Sequence, residues 1–192
     1  MLSNWEGRYQ RGETGWDRGG ASPALSRLLE HLPAKARVLV PGCGRGHEVV
    51  ELARLGFMAT AVDIAPSATA HLRKQLLRHE LDAKVVTGDL FDFVAKYPFD
   101  AVYEQTCLCA MDPTQREVYV DQLYAWLQPG GMLFALFMQT GCAGGPPFHC
   151  DLLAMRELFD TARWQWPENE PIFTPHANGR FELGYSLVRR PD

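Results

Sequence analysis

The chain predicts a doubly wound α/β fold, a mostly parallel sheet with helices on both faces. Two observations carry that expectation. Apolar runs of strand length alternate with amphipathic stretches of helical length along most of the 192 residues. In addition, residues 37–46 stop the apolar run Arg37-Val38-Leu39-Val40 at Pro41 and break into glycines at 42, 44 and 46, before an amphipathic segment begins at His47. A second apolar run, Met58 to Val62, ends in Asp63, about twenty residues after the first glycine. Strand, tight loop, helix, strand, acid is one nucleotide-binding half of such a sheet.

The elements follow in order. Strands are expected at 37–41, 58–63, 83–88, 99–104, 131–138 and near 179–189, with helices at 23–31, 46–55, 66–79, 114–127 and 150–160. Leu72, Leu76 and Leu77 among charged residues give the 66–79 helix one buried face. Asp112-Pro113 opens the next helix, with aspartate as N-cap and proline at the first helical position. Gln128-Pro129-Gly130-Gly131 stops it and turns the chain into a long apolar strand. The last strand follows a stretch rich in Pro and Asn, which predicts an antiparallel hairpin at that edge.

The glycine spacing selects a ligand. A dinucleotide loop reads G-x-G-x-x-G, but here His47 holds the third-glycine position and Gly46 comes one place early. The G-x-G-x-G form suits an adenosine ligand without a pyrophosphate. S-adenosyl-L-methionine (SAM) fits, its ribose diol meeting Asp63 and its methionine end lying over the bare backbone at Gly42 and Gly44. Glycines alone already lean toward the ligand over a plain tight turn, and the acid ending the next strand favours it further.

Asp89, just past the third strand, lies at the carboxyl edge where such sheets bind ligands. It can accept from an adenine amino group while the Leu90 backbone meets another ring edge, or it can cap a turn. Asp100 starts the fourth strand, far from that edge, and reads as structural. Glu104 and Gln105 end the same strand and are expected to face cofactor or substrate. Trp5 and Tyr9 share a helix face, with Trp16 following a glycine-rich turn. They either staple residues 1–22 onto the core or roof a sulfonium, where cation–π attraction contributes about 0.5–2 kcal/mol. Gly144 to Phe148 is rigid and apolar, fit to wall a pocket, and His149 after it is a candidate proton acceptor or an ordinary loop histidine.

Composition removes several function classes. A 46% hydrophobic content gives one domain a real core. A net charge of −4 without a basic run argues against nucleic acid. The longest apolar stretch, Met132 to Met138, has the length of a buried strand and not of a membrane span. Asn4, Glu6, Arg8 and Arg11 stand where a signal peptide needs an apolar block. Five cysteines without a C-x-x-C pair read as reduced thiols and not as a zinc site. The expectation is a cytoplasmic monomer acting on a small molecule, with no metal, nucleic acid or membrane.

At this level of detail the chain resembles the thiopurine S-methyltransferase family, with the plant-type thiol and halide methyltransferases as its nearest branch. The resemblance rests on Trp5-Glu6-Gly7-Arg8-Tyr9 through Thr14-Gly15-Trp16-Asp17, on Val38 to Gly44, on Cys109-Ala110-Met111-Asp112-Pro113 and on Gly145-Pro146-Pro147-Phe148. It implies one Rossmann-like domain over residues 1–192 of the class I SAM-dependent methyltransferase type. That type has a seven-stranded, mostly parallel sheet with one antiparallel strand; here residues 1–22 would be an aromatic cap over the cofactor. Trp5, Tyr9, Trp16, Gly42, Asp63, Asp89, Leu90 and Gln105 fall at SAM-contacting positions of the family. Tyr9 stands where a second tryptophan is common, and Gln105 replaces an arginine of thiopurine enzymes and a tyrosine of the other branch. Gly42 and Asp63 look like the thiol and halide branch, since thiopurine enzymes often carry leucine and glutamate there.

The implied activity is SAM-dependent methylation of a small soft nucleophile: a thiol, thiopurine, halide or chalcogen species. A thiolate needs alignment and exclusion of water more than a base, and alignment contributes up to about 7–11 kcal/mol. No indispensable general base is therefore expected, with Glu104 and His149 as assistants in deprotonation. The alternatives are O- or N-methylation of a small metabolite, SAM binding without turnover, and a nicotinamide-dependent reductase. The last is disfavoured by the shifted glycine.

Overall fold

The computed structural model describes residues 4–191. Eight strands form one sheet: β1 (Arg37–Pro41), β2 (Met58–Asp63), β3 (Lys84–Thr87), β4 (Phe99–Gln105), β5 (Leu127–Gln139), β6 (Trp164–Gln165), β7 (Ile172–Pro175) and β8 (Phe181–Arg189). Seven of them run in the order β3-β2-β1-β4-β5-β8-β6, and β7 pairs with β8 off this path. Strands β1 to β5 pair in parallel, and β8 runs antiparallel to β5, β6 and β7. The seven-strand path with one reversed strand matches the expected sheet; the four-residue β7 adds an eighth. It forms the hairpin with β8 that the Pro- and Asn-rich stretch predicts.

Six helices complete the layers: α1 (Trp5–Gln10), α2 (Leu25–Leu29), α3 (His47–Arg54), α4 (Pro66–Arg78), α5 (Arg116–Trp126) and α6 (Leu152–Leu158). Alternation along the central strands divides the core in two. Val38, Val40, Tyr103, Phe134 and Leu136 pack with residues of α2, α3 and α4. Leu39, Val102, Leu133, Ala135 and Phe137 pack on the other face with residues of α5 and α6. Each fully buried aromatic, such as Tyr103, Phe134, Phe159 and Trp164, stabilises the fold by about 1.5–3 kcal/mol relative to exposure.

Local chemistry sets the boundaries. Asp112 accepts from the Thr114 N–H at 3.0 Å and caps a 3₁₀ turn, Pro113–Gln115, that runs into α5. Strand β5 begins earlier than its apolar run suggests: Leu127 pairs with Phe99, then the register slips and Met132 pairs with Ala101. The Gln128-Pro-Gly-Gly turn is thus a bulge inside a longer strand. Asp100 has the structural role expected of it, accepting from the Arg37 N–H at 2.7 Å and from Gln128 Nε2 at 2.9 Å.

The order reverses between β1 and β4, because β2 and β3 lie to one side and β5 and β8 to the other. Loops leaving neighbouring strands part there and open a crevice at the carboxyl edge.

Candidate active site

The crevice holds a cavity of about 660 Å³, within the range of small-molecule sites. Its floor is the loop after β1. Gly42 has φ +58°, and a Cβ on it would come within 2.9 Å of Cys107 Sγ in the loop after β4. Gly44 has φ +54°, and its Cβ would lie 2.8 Å from the Tyr9 hydroxyl. Both positions require glycine for conformation and for space, so bare backbone faces the cavity at Gly42 and a smaller adjoining recess at Gly44.

Asp63 ends β2 beside that floor. One oxygen accepts from the Gly44 N–H at 2.7 Å and the other from the Ala65 N–H at 2.8 Å. Burial pushes its carboxyl up, and those two N–H groups oppose the shift. Each oxygen keeps a lone pair for a ligand. Asp89 accepts from the Phe91 N–H at 2.9 Å, capping a 3₁₀ turn, and it also lines the cavity.

Residues 4–19 form the roof. The Asn4 side chain caps α1 by accepting from the Gly7 N–H. Trp16 stands edge-on to Trp5 and to Tyr9, with ring centroids 5.3 and 5.6 Å apart. The Arg8 guanidinium lies 4.6 Å from the Trp16 ring centre. Asp17 ties this roof to the glycine loop, 2.8 Å from His47 Nε2 and 3.0 Å from Arg45. Burial raises the Asp17 carboxyl, but the Gly19 N–H, His47 and Arg45 outweigh it and hold the group below its ordinary value.

The structure gathers Trp5, Tyr9, Trp16, Gly42, Asp63, Asp89 and Leu90 around the main cavity. Gly44 and Gln105 line a smaller recess of about 80 Å³, which shares Tyr9, Trp16, Gly42, Thr106 and His176 with it. Glu104 and His149 line neither. Strand alternation explains Glu104: Gln105 follows Tyr103 onto the α3 face, and Glu104 follows Val102 onto the α5 face. It is fully buried there, accepts from the Leu108 N–H at 2.6 Å, and desolvation pushes its carboxyl up to about 8. His149 turns Nδ1 back to accept from the Thr140 N–H at 3.1 Å, while its carbonyl takes the Arg116 guanidinium. Phe148, one residue earlier, does reach the cavity, pinned by its N–H to the Cys109 carbonyl at 2.7 Å.

The β7–β8 turn brings residues that the sequence reading missed: His176, Asn178 and Arg180 line the main cavity. The available signal was Asn178-Gly179, a dipeptide that marks hairpin turns.

Comparison with known proteins agrees with this geometry. The profile of the Thiopurine S-methyltransferase (TPMT) family matches residues 1–184. Thiocyanate methyltransferase 1 of Arabidopsis thaliana is 30% identical over 187 residues, spanning 94% of this chain and 82% of the relative. A thiopurine S-methyltransferase of Xanthomonas campestris pv. campestris (strain 8004) is 33% identical over 187 residues, spanning 86% and 84%. In fold, the chain is similar to a Burkholderia thailandensis 1,6-didemethyltoxoflavin N1-methyltransferase solved with S-adenosylhomocysteine. That likeness has a TM-score of 0.79 at 22% identity and covers 99% of this chain and 87% of the other.

Fold and site together define a class I, Rossmann-like SAM-dependent methyltransferase. The chain belongs to the thiopurine S-methyltransferase family. Its residues fit the cofactor. The glycine cradle would be filled by any Cβ, Asp63 borders it with lone pairs to spare, and the volume admits SAM with a small acceptor. Among the described residues, no helix is long and apolar enough to cross a membrane.

Proposed function

We propose that the enzyme S-methylates a small soft nucleophile, a thiol foremost, with thiopurines, halides, thiocyanate and chalcogen species as related acceptors. One observation carries this reading: beyond the glycine floor the cavity is walled by Cys109, Met111, Met138, Pro147 and Phe148. That wall is apolar and polarisable. On that side it strips water from a thiolate and offers dispersion contacts that suit soft sulfur, while the polar groups His176, Asn178 and Arg180 stand on the β7–β8 turn.

The cofactor supplies an electrophilic methyl group on a positively charged sulfur. When SAM is bound, Asp63 would accept from the ribose hydroxyls, and Asp89 with the Leu90 backbone would hold the adenine edge. Gly42, Gly44 and Gln105 would hold the methionine end. Trp5, Tyr9 and Trp16 would close over the charged sulfur and exclude water, as a cap formed by residues 4–22 of the single domain; residues 1–3 of the expected cap lie outside the described residues. Phe148 and Met111 hold the acceptor in line. Glu104 and His149 keep structural roles outside the cavity.

The same reading has the enzyme working as a monomer in the cytoplasm, without a nucleic-acid partner. The net charge of −4 and the free cysteines support it. The decisive assay mixes enzyme and SAM with alkyl thiols, thiopurines, thiocyanate, iodide, selenite and tellurite, alongside phenol and amine controls, and reads S-adenosylhomocysteine. Turnover led by the sulfur acceptors is expected. Faster turnover of phenols or amines would instead establish O- or N-methylation, and tight SAM binding without any product would leave a binding protein.

A further inference from the structure

Glu182 is fully buried at the start of β8, two strands from Gln105 with β5 between them. Its Oε2 accepts from Gln105 Nε2 at 2.8 Å and stands 3.0 Å from His176 Nε2. Gln105 is fixed in turn, its own oxygen accepting from the Tyr103 hydroxyl at 3.0 Å. The other oxygen of Glu182 is buried without a hydrogen-bond partner among the described residues. A carboxylate so far from water is costly unless a positive charge forms beside it. His176 is the group placed to carry that charge, and it lines both the main cavity and the recess.

Nε2 is itself buried without a hydrogen-bond partner among the described residues, close to the carboxylate but not aligned with it. The neighbouring negative charge favours the ring proton on Nε2, which leaves the Nδ1 lone pair for whatever enters the cavity. The ring cannot drift far, because the His176 N–H donates to the Arg180 carbonyl at 2.8 Å and Arg18 donates to the Pro175 carbonyl at 2.6 Å. Other charged and titratable groups near the pair are Arg180 on the same turn, Arg18, His47 and Glu48 from α3, and Glu104 from β4. Among the described residues only Glu182 lies within ion-pair distance of the ring.

We propose that His176 is the proton acceptor for protonated thiols, and that Glu182 is a positioning residue that fixes its tautomer and balances its charge. This rests on the reading of the enzyme as a thiol methyltransferase and extends it from ready-made anions to thiols that arrive protonated. The proton passes from the thiol sulfur to His176 Nδ1. The pair freed on that sulfur forms the bond to the methyl carbon, and the pair of the old methyl–sulfur bond stays on the departing thioether. The imidazolium, held against Glu182, returns its proton to solvent.

The test compares an alkyl thiol, the more acidic thiophenol and iodide, which carries no proton, in the wild type, His176→Gln and Glu182→Gln. The ratio of alkyl-thiol to iodide turnover is expected to fall on the order of 100-fold in His176→Gln, with thiophenol losing less. Glu182→Gln should shift the ratio in the same direction. Because the readout is a ratio, a variant that merely folds poorly leaves it unmoved. In protein carrying ¹⁵N-histidine, benzyl thiol added with S-adenosylhomocysteine should also move the His176 ring resonances, assigned by their loss in His176→Gln. An unchanged ratio, or ring resonances that ignore the thiol, would overturn the role of His176 while leaving thiol methylation intact. A wild type that binds SAM but methylates neither thiols nor iodide would overturn the underlying reading as well.

Discussion

Glu6 grips Ser67 twice, accepting from its backbone N–H at 2.9 Å and from its hydroxyl at 2.6 Å. The carboxylate thereby sits at the N-terminal end of α4, where the helix dipole favours negative charge. Ser67, first through its hydroxyl and then through its N–H, holds the Glu6 carboxyl below its ordinary value of 4.5. A lowered carboxyl contributes above its ordinary pKa and loses that contribution as pH falls through the depressed one. Docking of α1 should therefore be complete at neutral pH and fail only in acid. Glu6→Ala should weaken SAM binding about tenfold at pH 7 with little change in Tm, as calorimetry on both quantities would reveal.

Asp63 holds two backbone N–H groups and, in the proposed complex, the ribose. Asp63→Ala should cost about 1–3 kcal/mol of SAM affinity, roughly 10- to 100-fold. It should also lower Tm, since the Gly44 and Ala65 N–H groups lose their acceptor. Asp63→Asn keeps the shape and part of the bonding, so it should fall between. Titration calorimetry showing full affinity in the alanine variant would remove Asp63 from the site.

Gly44→Ala places a methyl 2.8 Å from the Tyr9 hydroxyl on backbone at φ +54°. The roof must shift or the loop must open. At least a tenfold loss of SAM affinity is expected, together with a destabilisation of about 1 kcal/mol or more from the left-handed conformation. The double variant Gly44→Ala, Tyr9→Phe should recover part of the affinity if the clash is the cause.

Glu104 gives a pH signature. Its carboxyl moves from 4.5 to about 8 on folding, chiefly through desolvation. A raised pKa means that the contribution is fully present below 4.5 and is lost as pH rises through about 8. Glu104→Gln mimics the protonated acid, so wild type and variant should match in urea unfolding near pH 4, below the ordinary carboxyl value of 4.5. The variant should be the more stable by a few kcal/mol at pH 8.5. Because Glu104 lies outside the cavity, methyl transfer should persist in the variant.

The parallel half of the fold was legible because its signals are local. The glycines at 42, 44 and 46, the apolar run into Asp63 and the Asp112-Pro113 opening each act within a few residues. Their site residues followed because the carboxyl edge of such a sheet is where ligands bind. Glu104 and Gln105 were not separable, since β4 is buried along most of its length and polarity does not mark which face each neighbour takes. His149 lay one residue past the segment that does reach the cavity. The pairing of His176 with Glu182 depends on where a hairpin lands against Gln105, 77 residues away in sequence. No local pattern encodes that meeting. Strand β6, two residues long, is likewise defined only by its partner β8.

The reversal of β8 has a consequence for how this enzyme can diversify. Running against its neighbours, it starts where they finish, so the turn from His176 to Arg180 is delivered to the reactive edge. A parallel strand in its place would have carried that turn to the opposite end of the barrel-free sheet. Acceptor contacts from this turn are thus modular, mounted on an outer ribbon, with His176 alone of its residues also reaching the recess of Gly42 and Gly44. Exchanging the residues at 178 and 180 for a relative's, with His176 and Glu182 kept, should therefore change nucleophile preference and leave SAM affinity as it was.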